Sequence, residues 1–319
     1  MQTQLIRLLK NQMFEGYLLV KSGEQRTSSN GSKFLDMTLA DLSGEVNAKM
    51  WDGNTPAPRC GQVVKVRAMM LEYNGRPQLR VDKLRPAEER DAVDMSLLVP
   101  CAPYPAEQML KELTDRIEKI RDEGLRAVVR RRLEKAGNAI LYFPAAQKLH
   151  HAEKGGLLHH TSTMLRLADA ICQIYPTLDS DLLAAGVILH DLCKMSEMRS
   201  DEMGVVTDYT AEGLLLGHLV QGVSEIQAVC DEVGVDGELK LMLSHMILAH
   251  HDLPEYGSPK PPMFPEAEVL HVLDLLDARM FEMTRALKNA QPGGFTERIW
   301  SLERRLYRRK ESPARDKQE

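Results

Sequence analysis

Residues 182–189, Leu-Leu-Ala-Ala-Gly-Val-Ile-Leu, have no polar side, and the next two residues are His190 and Asp191. A helix that is apolar all round has to be packed on every side. The chain must therefore supply several further helices to surround it. The His-Asp pair adds a second constraint. A carboxylate and an imidazole withdrawn from water are costly unless their charge is compensated. A hydrogen-bonded pair inside the core would do so. A divalent cation would too, since both groups are ordinary ligands for one. For the dipeptide alone the plain pair is the simpler reading, and its surroundings have to decide.

Composition narrows the setting. The chain has 319 residues, room for two domains, with 43% hydrophobic and 27% charged residues, so it reads as soluble and globular. There is no run of about twenty apolar residues, which predicts no membrane span. The N-terminus, Met1 to Arg7, lacks the apolar core of a signal peptide. Five cysteines, at 60, 101, 172, 193 and 230, form no CxxC pair. Reduced thiols in a cytoplasmic protein are expected. Net charge is −5, so a contact with nucleic acid has to use local basic surface.

From residue 12 to 90 the chain reads as short strands: Phe14–Lys21, Lys33–Ala40, Glu45–Trp51, Gln62–Arg67, Met69–Tyr73 and Gln78–Asp82. Turn signals fall at Ser28–Ser32 and Asp41–Gly44, and Asn74-Gly75 is a tight hairpin signal. Five or so strands at this spacing predict a small closed barrel of the OB type. Such barrels hold oligonucleotides on exposed aromatics with cations nearby. The candidates are Phe34, Trp51 and Tyr73, with Lys33, Lys49 and Arg76. Phe34 and Trp51 can equally plug the ends of the barrel, and the cations can be plain solvated surface.

Residues 86–105 form a linker, charged at 87–91 and broken by Pro100, Pro103 and Pro105. From Ala106 to about Ala136 the pattern turns helical, a connector packing on the helices C-terminal to it. From about 147 to 290 every periodic segment is helical. After Gly155-Gly156, periodicity separates two histidines. His160 shares an apolar face with Met164, Leu167, Ala168 and Ile171, whereas His159 lies with Ser162, Thr163 and Arg166 towards solvent. Asp179 is placed to cap the central helix. Lys194 comes after the His-Asp pair on the same side of the helix. A cation there can hold a phosphate, and can equally be an ordinary lysine at a helix end. Asp274 sits on an apolar stripe with Ala267, Leu270, His271 and Ala278 and needs a partner. Asp277 lies nearer the edge and reads as a helix contact or salt bridge. The arginines near Trp300 and Tyr307 suit a nucleic-acid backbone, and suit a solvated helix or a subunit contact as well. The tail from about 311 is expected to be disordered.

One buried histidine is ordinarily a satisfied core residue. His160, His190, Asp191 and Asp274, on three separate apolar helix faces, do not share so plain an explanation. Imidazoles with carboxylates and no thiolate motif indicate a hydrolytic metal such as Mn, Fe, Mg, Co or Zn. His218, His250 and His251 could supply a second ion. Two ions would stabilise the attacking and the leaving oxygen of a phosphoryl transfer.

The motifs Gly155-Gly-Leu-Leu-His-His160-Thr, His190-Asp191 with Lys194, and Asp274-Leu-Leu-Asp-Ala resemble those of the HD superfamily of metal-dependent phosphohydrolases. With a barrel in front, His150-His151, Gly217-His218, His250-His251, Gly257-Ser-Pro-Lys-Pro-Pro262 and Leu273-Asp274-Leu-Leu-Asp-Ala-Arg-Met280, the chain is similar over nearly its whole length to the YhaM-type 3′–5′ exoribonucleases. The resemblance implies a multidomain α and β protein: an N-terminal five-stranded OB-like barrel followed by an all-α HD domain. It divides the chain into 1–90, the nucleic-acid-binding barrel; 91–140, linker and connector helix; 141–295, the HD domain; and 296–319, a basic tail. It implies hydrolysis of single-stranded RNA, and often DNA, from the 3′ end, with manganese favoured. His160, His190, Asp191 and Asp274 match the primary metal ligands, and His218, His250 and His251 match a second metal position. Lys194 matches a lysine that contacts phosphate, and His150 and His151 match a pair to which substrate contact is assigned. Homo-oligomers are common among HD and OB domains.

Two positions depart from the family pattern. Cys193 and Asp252 stand where glycine is usual, which bears on metal preference and on the pocket for the 3′ end. Two other readings remain open at this point. The same metal set could serve a phosphohydrolase of free nucleotides or cyclic dinucleotides, although no Gly-Tyr-Pro signature is present. Alternatively, the chain could bind nucleic acid without cleaving it.

Overall fold

The computed structural model describes residues 2–28, 31–52, 55–288 and 290–310. The tail from 311, expected to be disordered, and the middle of the turn at Ser28–Ser32 lie outside the described residues. The chain divides into two compact units, residues 1–101 and 102–319.

The first unit is a closed five-stranded barrel of β1 (Met13–Thr27), β2 (Lys33–Asp41), β3 (Gly44–Met50), β4 (Val63–Tyr73) and β5 (Arg76–Pro86), in the order β1-β2-β3-β5-β4. β1 is long enough to serve two neighbours. Its first half pairs with β4, its second half with β2, and an irregularity between Val20 and Ser22 makes the bend. Asn74 and Gly75 both adopt positive φ, 50° and 74°, the two-residue turn that matches strand twist. β3 then runs parallel to β5 from Asn47 to Lys49 and completes the ring. The interior is filled by alternate residues of each strand, among them Leu35, Met37 and Leu39, and Val64, Val66, Ala68 and Met70. The stretches 62–67 and 69–73, expected as separate strands, are one continuous β4. Met69 and Leu71 are apolar at half-exposed positions, which hides the alternation.

The second unit is helical: α1 (Ala106–Glu118), α2 (Glu123–Ala136), α3 (Gly156–Ile174), α4 (Ser180–Leu189), α5 (Lys194–Glu197), α6 (Ala211–Val233), α7 (Gly237–Ala249) and α8 (Pro265–Lys288). A short hairpin, β6 (Met198–Ser200) and β7 (Val206–Tyr209), interrupts it, a feature with no strand-like alternation in sequence. α4 is the axis of this unit. Asp179 caps it by accepting from the N–H groups of Asp181 and Leu182, and every residue from Asp181 to Leu189 is buried. Leu182, Leu183, Val187, Ile188 and Leu189 join one core with α1, α2, α3, α7 and α8. Burial of each such side chain contributes about 1.5–3 kcal/mol, which is what holds a polar helix end so deep in the unit. Among the described residues no helix is long and apolar enough to cross a membrane.

Candidate metal centre

Local chain geometry aims each histidine at one point. α4 and α7 both end on a histidine. His190 Nδ1 donates to the Val187 carbonyl and His250 Nδ1 to the Ile247 carbonyl, each at 2.8 Å. These carbonyls belong to the last turn, where no backbone donor remains. Meeting them through Nδ1 fixes the tautomer and turns both Nε2 atoms inward. His160 points from the buried face of α3, with Nδ1 donating to Asp277 at 2.7 Å. His218 comes directly after Gly217, whose φ of 68° breaks α6. At the break the His218 backbone N–H and Nδ1 both reach Glu197, at 3.1 and 3.2 Å. His251 donates from Nδ1 to the Tyr256 carbonyl at 2.8 Å.

Asp191 is the centre of the arrangement. Its Oδ2 lies 3.4 Å from His190 Nε2, 3.8 Å from His160 Nε2 and 2.7 Å from Lys194 Nζ. Its Oδ1 lies 3.6 Å from His218 Nε2 and 3.8 Å from His250 Nε2. Asp274 Oδ1 lies 3.2 Å from His160 Nε2. One carboxylate thus faces both groups of histidines.

Buried polar atoms are normally paired, yet here a whole set is not. The Nε2 atoms of His160, His190, His218 and His250, Asp191 Oδ1, and Nδ1 of His150 and His151 are buried without hydrogen-bond partners. Donor atoms within 4.8 Å of one another form the sets His160-His190-Asp191, His190-His250-Asp274, His218-His250-His251 and His150-His151-His160. Nitrogen and carboxylate donors at this spacing, most with the far ring nitrogen anchored, fit a divalent cation.

The electrostatics agree. Burial opposes ionisation of Asp191, but Lys194 and His190 outweigh it and hold the carboxyl well below its usual range. Burial likewise opposes charge on Asp274, and the adjacent His160 overcomes it, holding this carboxyl well below its usual range too. Lys194 is raised, its burial outweighed by Asp191. His160 is raised to about 9, burial being outweighed by Asp274 and Asp277, so a cation that takes its Nε2 must displace a proton. Burial depresses His250 strongly and takes His150 to about 3, keeping both imidazoles neutral with a lone pair to give.

The structure therefore brings His160, His190, Asp191, Asp274, His218, His250 and His251 together, with Lys194 buried beside them and paired to Asp191. His150 and His151 adjoin the cluster, each with its ring centroid 5.2 Å from that of His160. His151 holds a left-handed φ of 51° and stacks on Phe281 at 4.1 Å. His159 is half-buried and held by Glu153 rather than turned freely to solvent. Asp277, expected near an edge, is instead buried. It binds His160 Nδ1, and its Oδ2 lies 3.5 Å from His151 Nε2. Its spacing of three from Asp274 already placed it on that side of the helix. Glu197 had no such signal, because its partner lies 21 residues on, beyond a break in α6.

The two departures from glycine have distinct settings. Asp252 has a φ of 62°, the left-handed region that glycine prefers and aspartate tolerates. Cys193 turns away from the cluster and accepts a hydrogen bond from buried Arg132 at 3.4 Å, itself paired with Glu225. Burial pushes its thiol up to about 12, with Arg132 opposing weakly. The thiolate is the reactive form, so at pH 8 iodoacetamide is expected to label exposed Cys60 and spare Cys193 in the folded protein. Peptide mass spectrometry reads this out, and rapid labelling of Cys193 would contradict its burial against Arg132.

In the barrel unit Phe34 is buried and stacks beneath Trp51 at 4.8 Å, while Trp51 and Tyr73 are 56% and 60% exposed. Lys49 Nζ lies 5.1 Å from the Phe34 ring and 5.8 Å from the Tyr73 ring. Tyr73 and Arg76 line one cleft with Asn47 and Gln78. Lys33 is exposed at the start of β2.

Family models match the part of the chain after residue 100. A family model described as HD domain matches residues 157–279. A second, of a candidate helicase family, matches residues 101–182, a stretch with no GxxxxGK phosphate loop. The 3′-5′ exoribonuclease YhaM of Halalkalibacterium halodurans is 41% identical over 297 residues, covering 92% of each chain. The second OB-fold domain of replication protein A from Methanococcus maripaludis matches 28% of this chain and 96% of its own at 16% identity, with a TM-score of 0.24. That score carries no argument, and the barrel's assignment rests on its own strand order.

Proposed function

This chain belongs to the YhaM family of 3′–5′ exoribonucleases and is a metal-dependent hydrolase, and from that premise we propose that it removes nucleotides from the 3′ end of single-stranded RNA at the histidine–aspartate cluster of its helical unit. His160, His190, Asp191 and Asp274 would hold one divalent ion, and His218, His250 and His251 would hold a second. Manganese is the ion the family resemblance favours. A bound ion there supplies charge stabilisation to the phosphate oxygens and lowers the pKa of water. The chain's own groups do the rest. Lys194 leaves part of its charge for the scissile phosphate, and Asp277 and Glu197 fix the rings of His160 and His218. His150 and His151 contact the terminal nucleotide. Cleavage of the P–O3′ bond releases a nucleoside 5′-monophosphate. In the barrel, Trp51 over Phe34 and Tyr73 beside Lys49 and Arg76 stack bases and meet phosphates. The free cysteines suit a cytoplasmic setting.

The observation that carries this reading is the set of buried, unpartnered Nε2 atoms facing both oxygens of Asp191. The test is 5′-labelled single-stranded RNA with Mn²⁺, alongside EDTA and the same RNA blocked at its 3′ end. A descending ladder that vanishes in both controls is expected, and intact RNA in every lane, with metal content verified, would sink the proposal. Asp277→Asn is expected to weaken divalent-ion binding roughly 10–100-fold, the usual effect of removing a carboxylate behind a metal-bound histidine. Titration of chelator-stripped protein measures it, and unchanged affinity would reduce Asp277 to packing.

A further inference from the structure

Residues 293–310 lie outside that cluster and form an antiparallel hairpin rather than the helix their composition allowed. The Gly293 N–H donates to the Arg308 carbonyl at 2.7 Å, Thr296 N–H to Leu306 at 2.9 Å, and Ile299 N–H to Arg304 at 2.9 Å. Leu302 and Leu306 are buried beneath it. Ser301 donates to Glu282 on α8, and Arg308 donates to the carbonyls of Lys288 and Ala290, so the hairpin is fixed to the end of α8.

Its outer side is unusual for this chain. Phe295, Trp300 and Tyr307 are 59%, 83% and 48% exposed. Phe295 and Tyr307 lie 5.2 Å apart, and the Arg305 guanidinium sits 5.7 Å over Phe295. The segment holds six cations, Arg298, Arg304, Arg305, Arg308, Arg309 and Lys310, against two acids, Glu297 and Glu303, within a chain of net charge −5. None of these cations forms an ion pair with an acid among the described residues. The basic surface continues inward through exposed Arg285, which lies 5.8 Å over Phe281, and Phe281 in turn packs on the ring of His151. Along α8 the hairpin's anchor at Glu282 stands about 12 Å from Asp274.

We propose that the hairpin 293–310 is a binding surface for single-stranded nucleic acid in the helical unit, leading to the cluster past Arg285. This rests on the exonuclease reading above. Guanidiniums that form no ion pair, beside exposed rings, offer phosphate contacts and stacking in one place, Arg304, Arg305 and Arg308 being also tied to backbone carbonyls. Exposed aromatics with arginine also suit a protein partner, but an excess of four positive charges on an acidic chain favours a polyanion.

The test uses Trp300→Ala/Arg309→Ala, which leaves the hydrogen bonds that pin the hairpin to α8 in place. Affinity for 5′-fluorescein oligoadenylate blocked at its 3′ end is measured by anisotropy in EDTA, where nothing is cleaved. The double variant is expected to bind about tenfold more weakly, with a salt dependence shallower by about 0.7 in log–log slope. Hydrolysis of a dinucleotide, too short to reach the hairpin, should keep its rate. Affinity within twofold of the wild type would overturn the proposal. So would a change in sedimentation with unchanged affinity, which would make the hairpin a contact between copies. Failure of the exonuclease reading would look different: wild-type protein that binds the oligonucleotide but releases no monophosphate from any substrate.

Discussion

Asp191→Asn is expected to slow RNA hydrolysis on the order of 10³-fold, the scale for losing a preorganised charge at the reacting centre. Among the described residues Asp191 is the carboxylate that lies within 4 Å of His160, His190, His218 and His250, a placement Asp274 does not match. The same change should cost about 3 kcal/mol of stability, because Lys194 remains buried without its anion. For a unit of this size that lowers Tm by roughly 6–12 °C. The two effects separate in Asp191→Asn/Lys194→Met, which should regain thermal stability without regaining activity. More than a tenth of wild-type turnover in the single variant would remove Asp191 from the centre of the site.

Gly156→Ala should damage the protein through shape alone. A Cβ at Gly156 would lie 2.0 Å from the carbonyl oxygen of His151 and 3.3 Å from the backbone nitrogen of Ala145. That carbonyl already accepts from Ala145 N–H at 3.1 Å, and His151 is in the left-handed conformation, so the loop has little room to yield. Overpacking against backbone costs about 3 kcal/mol or more. Calorimetry should show a Tm lower by about 6 °C or more, together with reduced activity, since the loop carries His150 and His151. An unaltered Tm would mean that α3 approaches this loop less closely than 2.0 Å implies.

The sequence disclosed the site's first layer and hid its second. Helical period alone separated His160 from His159, because one face of α3 is apolar throughout. The Asn74-Gly75 turn and the spacing of apolar runs were enough for the barrel. The supports of the ligands were harder to see. Asp277 lies off the apolar stripe of its helix, and only its distance of one turn from Asp274 points it towards His160. Glu197 reaches His218 only because α6 breaks at Gly217, a tertiary event with no local periodicity. The C-terminal hairpin depends on pairing Phe295 with Tyr307 across a turn, which composition cannot distinguish from a short solvated helix. Phe34 illustrates a third case: its ring is buried, as a plug at the barrel end would be, and forms the floor under an exposed tryptophan.

The donors of the cluster come from loops and helices far apart in the chain, His160 and Asp274 being separated by 114 positions. An ion that joins them binds the folded chain and finds no comparable set in the unfolded one. Its binding free energy is therefore added to global stability, about 2.7 kcal/mol when the free ion is at a hundred times its dissociation constant. Metal supply then governs more than turnover. Chelation should lower the whole melting curve of the helical unit and open it to proteolysis, so that in a metal-poor cell the amount of this enzyme falls along with its rate.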